Sequence, residues 1–159
     1  MARGTLPAGT RMVAQNRKAR HNYFIEDSIE AGMVLTGTEV KSLRAGHASL
    51  GDAYAVEKGG DIYLVNAHIS VYSGGNMENH APLRERKLLL HKREIIRLIN
   101  ATQREGMTIV PLELYFNARG MAKVNLGIAK GKRQYDKRRT IIDRDMDREA
   151  RRSMGANRE

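Results

Sequence analysis

The chain has 159 residues, 41% of them hydrophobic, with a formal net charge of +10; that length suits one domain, or one domain plus a tail. It contains no cysteine, which excludes a disulfide framework and a thiolate metal site and fits a reducing, cytoplasmic setting. No hydrophobic stretch approaches the ~20 residues of a membrane helix, and with two Phe and no Trp there is little to anchor the chain at a membrane surface.

The chain opens on a basic arm. Residues 1–21 hold Arg3, Arg11, Arg17, Lys18 and Arg20 and no acid. An organellar transit peptide can share that composition, but these residues offer too few apolar positions for an amphipathic face. Residues 1–15 are expected to be flexible, with a folded body over 16–130. Tyr23 to Leu35 mixes aromatic, β-branched and acidic residues in rough alternation and predicts a strand with a bend near Gly32. Thr36 or Thr38 then offers an N-cap for a short helix over Glu39 to Arg44, with Val40 and Leu43 inward and Gly46 closing it.

Asp52 to Glu57 and Asp61 to Asn66 predict a hairpin, because Lys58-Gly59-Gly60 supplies the positive φ of a tight turn. His68 to Tyr72 extends the second strand, and Ser73 to Pro82 is loop by its turn residues. Arg86 to Leu90 leads into a helix over His91 to Glu105, where Ile95, Leu98, Ile99 and Thr102 share one face and Gly106 ends it. Two more strands follow, Met107 to Phe116 and Met121 to Ala129. In the first, Leu112, Leu114 and Phe116 alternate with Pro111, Glu113 and Tyr115. Pro111 has no amide hydrogen, so it belongs at an edge or a bulge. Five or six short antiparallel strands with two or three helices predict a mainly β fold, an oligonucleotide-binding-type barrel.

From residue 131 the core-forming pattern stops. Residues 128–159 carry eleven basic and six acidic residues, while residues 22–127 carry twelve of each, so the whole positive excess sits at the two ends. That is the footprint of a protein that binds a polyanion, with nucleic acid the leading candidate. Within Ala129 to Arg139 a single aromatic, Tyr135, has cations on both sides, which suits a phosphate backbone with stackable bases; a solvated basic linker is the other reading. Beyond Arg139 the only apolar stripe is Ile142, Met146, Ala150 and Met154, one residue wide. Residues 131–159 are therefore expected to be disordered when free and helical only against a partner.

Asn16 to His21, Glu39 to Gly46, Arg86 to Leu90 and Lys130 to Arg138 resemble, in order and spacing, the small protein B family, the bacterial partner of transfer-messenger RNA in ribosome rescue. The resemblance covers nearly the whole chain from Asn16. It implies that Asn16, Arg17, Lys18, Arg20, His21, Glu30, Leu89 and Lys123 contact the transfer-RNA-like part of that RNA. The cations would hold phosphates; Glu30 would accept from a base edge or orient a neighbouring cation. Without the resemblance, Leu89 reads as core and Glu30 as a surface strand residue. It also implies that Gly131, Lys132, Tyr135, Asp136, Lys137 and Arg138 enter the ribosomal decoding centre, with Tyr135 stacked on a base for ~1–3 kcal/mol. Many relatives carry His there, and Tyr keeps the ring but cannot become cationic. Ile142, Arg144, Met146, Arg148, Arg151 and Arg152 would lie along the empty messenger channel against small-subunit RNA. Ile142 stands where Lys is common, and Met146 where some relatives have Trp. The implied protein is monomeric when free and needs no cofactor or metal.

A binding protein is not the only class to weigh. Asp27 followed by Glu39-Val40-Lys41 mimics the acid and Glu-x-Lys spacing of some metal-dependent nucleases, but this is a weak three-residue match across a strand-to-helix junction, and no enzyme is expected. The five histidines (His21, His47, His68, His80, His91) lack ligand-like spacing, and no Ser, His, Asp set assembles. A generic single-strand RNA-binding barrel is the alternative closest to the family reading.

Overall fold

This computed structural model describes residues 8–74 and 79–131. In chain order its elements are β1 (Arg11–Gln15), α1 (Arg17–Asn22), β2 (Tyr23–Met33), α2 (Gly37–Arg44), β3 (Ala48–Ser49), β4 (Tyr54–Lys58), β5 (Asp61–Val65), β6 (His68–Ile69), β7 (Arg86–Leu89), α3 (Lys92–Gln103), β8 (Thr108–Phe116) and β9 (Ala122–Gly131).

Antiparallel pairing runs β2 to β7, β5, β4, β8 and β9, and β9 pairs back on β2, so six strands close a ring. This is the mainly β, oligonucleotide-binding-type barrel expected from the sequence, and closure leaves few free edges. β1 adds to the free edge of β8, while β3 and β6 pair separately as a two-stranded sheet.

Local signals account for most elements. The β4–β5 turn needs glycine, because Gly59 and Gly60 have φ of +60° and +87°, a region that costs other residues energy. Thr36 caps α2, its side chain accepting from the Glu39 N–H while Glu39 accepts from the Thr36 N–H at 2.9 Å, a reciprocal capping box. α3 lays Leu98 and Ala101 into the same core as the inward residues of the strands, with Ile95 and Ile99 half-buried beside them.

Several expectations need correction. Arg11–Gln15, read as flexible arm, is a strand, and Asn16 begins a helix. Arg86–Leu89 is a strand of the barrel wall between β2 and β5. His68 does not extend β5: Asn66 takes φ of +61° and turns the chain into the second sheet. β2 is interrupted by a bulge between Ile25 and Asp27, not by a bend at Gly32.

β8 also departs from simple alternation, and the reason lies at Pro111. A bulge between Pro111 and Glu113 puts one extra residue, Leu112, into the strand. Leu114 and Phe116 therefore point into the main core, whereas Leu112 joins Val110, Ala129 and Ala19 of α1 in a second, smaller cluster on the outer face. Gly127 makes room for it, since a Cβ there would lie 3.0 Å from Leu112 Cδ1. The bulge re-aims the rest of the strand, as bulges do. Glu113 and Tyr115 now share the outward side.

Candidate nucleic-acid interface

Outward residues of β8, β9, β2 and β7 form two rows across the barrel wall. Glu113 pairs with Asn125, and Asn125 with Glu30; one step along, Tyr115 pairs with Lys123, Lys123 with Gly32, and Gly32 with Leu89. Residues opposite one another share a face, and so do residues two apart. The intervening row, Leu114, Val124 and Ala31, is buried in the core, which fixes the register.

Three residues expected to bind RNA meet in this face. Glu30, Leu89 and Lys123 line one open depression of about 500 Å³ together with Gly32, Leu90, His91 and Glu94. Gly32 helps to form it: a Cβ at that position would come within 3.3 Å of the Leu89 Cβ and 3.6 Å of the Lys123 Nζ. Leu89 is 52% exposed, so it presents an apolar surface and not a core side chain. Glu30 is exposed, and its Oε2 accepts a hydrogen bond from the Tyr115 hydroxyl. Among the described residues no ion pair engages it. Burial, and then the bond to Glu30, push the Tyr115 phenol above its ordinary range, so it stays a donor at neutral pH.

The expected arm cations lie on α1, above the second cluster. Arg17, Lys18, Arg20 and His21 are exposed while Ala19 faces inward. Arg20 reaches the β8 row, where its guanidinium donates to Glu113; Asn125 Nδ2 donates to the other Glu113 oxygen at 2.9 Å. Lys18 pairs with Asp52 at 3.0 Å, both well exposed, a bond worth little and readily exchanged for a phosphate. Arg20 thus meets the row that runs from Glu113 through Asn125 to Glu30.

Asn16 does different work. It is 3% exposed; its Oδ1 caps α1 by accepting from the Ala19 N–H at 3.0 Å, and its Nδ2 donates to the Leu50 carbonyl at 3.0 Å and the Pro111 carbonyl at 2.8 Å. Those bonds fasten α1 and β8 to the β3–β4 connection and leave no donor for RNA. Asn16→Ala should destabilise the fold by about 2–4 kcal/mol, one cap plus two orphaned carbonyls. Chemical denaturation measures this, and a variant of unchanged stability that has lost RNA affinity would reverse the assignment.

The nuclease-like carboxylates are spent elsewhere. Arg97 and the Ser28 N–H bond Asp27 and hold its carboxyl below the usual range, while Glu39 is buried beneath Arg84 and Arg86. Lys41 lies 5.5 Å from the centroid of the Tyr72 ring. Sequence reasoning missed Glu113, Tyr115 and Asn125: alternation sets Glu113 and Tyr115 apart from Leu112, Leu114 and Phe116 without showing what they face. Gly131 ends β9, paired with Tyr23. Lys132, Tyr135, Asp136, Lys137, Arg138, Ile142, Arg144, Met146, Arg148, Arg151 and Arg152 lie outside the described residues.

A family model described as "SmpB protein" matches residues 13–156. The chain belongs to the SmpB family. Among curated relatives, the SsrA-binding protein of Acidothermus cellulolyticus is 56% identical over 148 residues, 93% of this chain and 92% of that protein. The SsrA-binding protein of Acetivibrio thermocellus is 58% identical over 147 residues, 92% of this chain and 95% of that protein. A solved structure described as "tmRNA-SmpB: a journey to the center of the bacterial ribosome" superposes with a TM-score of 0.65 at 49% identity, covering 79% of this chain and 85% of the other. The SmpB match spans both the outward face and the sequence beyond β9.

Proposed function

We propose that this chain binds the transfer-RNA-like part of transfer-messenger RNA and delivers it to stalled ribosomes for trans-translation. It acts in the cytoplasm, as a monomer when free, and by binding and not by catalysis. The relatives named SsrA-binding protein and the neighbour described as tmRNA-SmpB support the partner. Among the described residues no helix is long and apolar enough to cross a membrane.

The observation that carries the reading is the continuity of the outward face. Cations on α1 supply the sequence-independent grip on phosphates. The depression at Glu30, Leu89 and Lys123 supplies three different chemistries beside it: an acceptor for base-edge N–H groups, an apolar surface for a base or sugar, and a cation for a phosphate. A carboxylate repels phosphate, so its presence there favours a folded RNA that turns a base outward. Residues 131–159, with Tyr135 among cations, take the ribosomal role, entering the decoding centre and the empty messenger channel against small-subunit RNA.

Competition tests this. Transfer-messenger RNA should remain bound when unstructured RNA is added at equal concentration in about 150 mM salt. Displacement by the unstructured competitor would reduce the protein to a generic single-strand RNA-binding barrel.

A further inference from the structure

An exposed glutamate or arginine ordinarily samples many rotamers, and fixing it on a ligand weakens binding. Glu30 and Arg20 are each tied to a residue of β8. We infer that Tyr115 and Glu113 are positioning residues: they hold Glu30 and Arg20, by hydrogen bonds made before RNA arrives, in the orientations RNA uses. The inference rests on the RNA-binding reading above and assigns roles to two residues that reading leaves unused.

Geometry separates these two from direct contacts. Tyr115 is 3% exposed, and among the described residues its hydroxyl donates to Oε2 of Glu30. Oε1 stays available for a donor on the RNA. Glu113 is similarly withdrawn, its side chain 13% exposed, with Oε1 on Arg20 and Oε2 on Asn125 Nδ2. Arg20 retains 43% exposure, so the guanidinium keeps other N–H groups for a phosphate. In each pair a withdrawn β8 residue holds an exposed one, and Asn125 lies between Glu113 and Glu30 in the same face. Pre-bonded partners of this kind lower the ordering cost of binding. The Pro111 bulge, by re-phasing β8, is what brings both to the outward side.

Two double-mutant cycles on the full chain, read as the dissociation constant for transfer-messenger RNA, test this. Tyr115→Phe removes one oxygen and keeps the ring, and it should weaken binding severalfold, up to about tenfold, the cost of ordering the freed Glu30 side chain on the RNA. In a Glu30→Ala background the same change should have no further effect. Glu113→Gln should weaken binding severalfold, and in an Arg20→Ala background not at all. Equal losses in both backgrounds would mean that the β8 residues act by themselves or through the fold, and would overturn the inference. Tighter binding by Glu113→Gln would also overturn it, by showing Glu113 to be only a repulsive charge. A wild-type chain that does not prefer transfer-messenger RNA over unstructured RNA gives a third, distinguishable pattern, which removes the RNA reading and the inference with it.

Discussion

Replacing Glu39 with Leu should cost the fold about 3–5 kcal/mol and lower the thermal midpoint by more than about 12 °C. Glu39 and Arg86 are both 0% exposed, in the wall between α2 and β7. The Glu39 carboxylate accepts from Arg86 Nε at 2.6 Å, Arg84 Nη2 at 2.5 Å and the Thr36 N–H at 2.9 Å, while Arg86 also donates to the Ala67 carbonyl at 2.6 Å and the Pro82 carbonyl at 3.1 Å. One carboxylate thus ties α2 to β7 and, through Arg86, to the chain before β6 and the loop after it. Removing it leaves a buried guanidinium unpaired, the costly half of any buried ion pair. Burial pushes the Glu39 carboxyl up, but the bonds from Arg84, Thr36 and Arg86 outweigh it and the group lies below the ordinary Glu value. A depressed carboxyl contributes stability above its unfolded value that is lost as pH falls through the folded one. The gap between wild type and Glu39→Leu should therefore be full at pH 7 and shrink below about pH 4, as the wild type also protonates. Denaturant midpoints across that range measure it, and a pH-independent gap would show that lost packing, not charge pairing, is responsible.

Elements whose cause is local were legible in the sequence. The Gly59-Gly60 turn, the cap of α2 and the period of α3 each depend on residues within one or two turns of chain. Elements whose cause is remote were not. β7 reads as the approach to a helix, because nothing near Arg86 says that its charge will be buried; its partner Glu39 is 47 residues away. β1 reads as a basic arm because its strand character comes from pairing with β8. Asn16 was named an RNA contact by family resemblance; its bonds to the Leu50 and Pro111 carbonyls could not be read locally, because those become neighbours only when the barrel closes. Glu30, Leu89 and Lys123 were named by family resemblance, and the register across β7, β2 and β9 then brings them together. Pro111 was rightly marked as a bulge candidate, but the consequence, Leu112 outward and Tyr115 beside Lys123, needed the pairing itself.

Deleting residues 131–159 should abolish peptide tagging on stalled ribosomes while leaving the RNA grip on the barrel. Arg17, Lys18, Arg20, His21, Glu30, Leu89 and Lys123 all lie on α1, β2, β7 and β9, ahead of that cut. The deleted residues carry ten basic and six acidic side chains, so their loss removes some general attraction to phosphate and little specificity. The decisive measurement is the dissociation constant of the chain ending at Lys130 for transfer-messenger RNA, set beside that of the full chain at about 150 mM salt. A value within about tenfold of the full chain, with tagging lost, is what a folded RNA-gripping face predicts; affinity that collapses together with tagging would place the grip in residues 131–159 and contradict it.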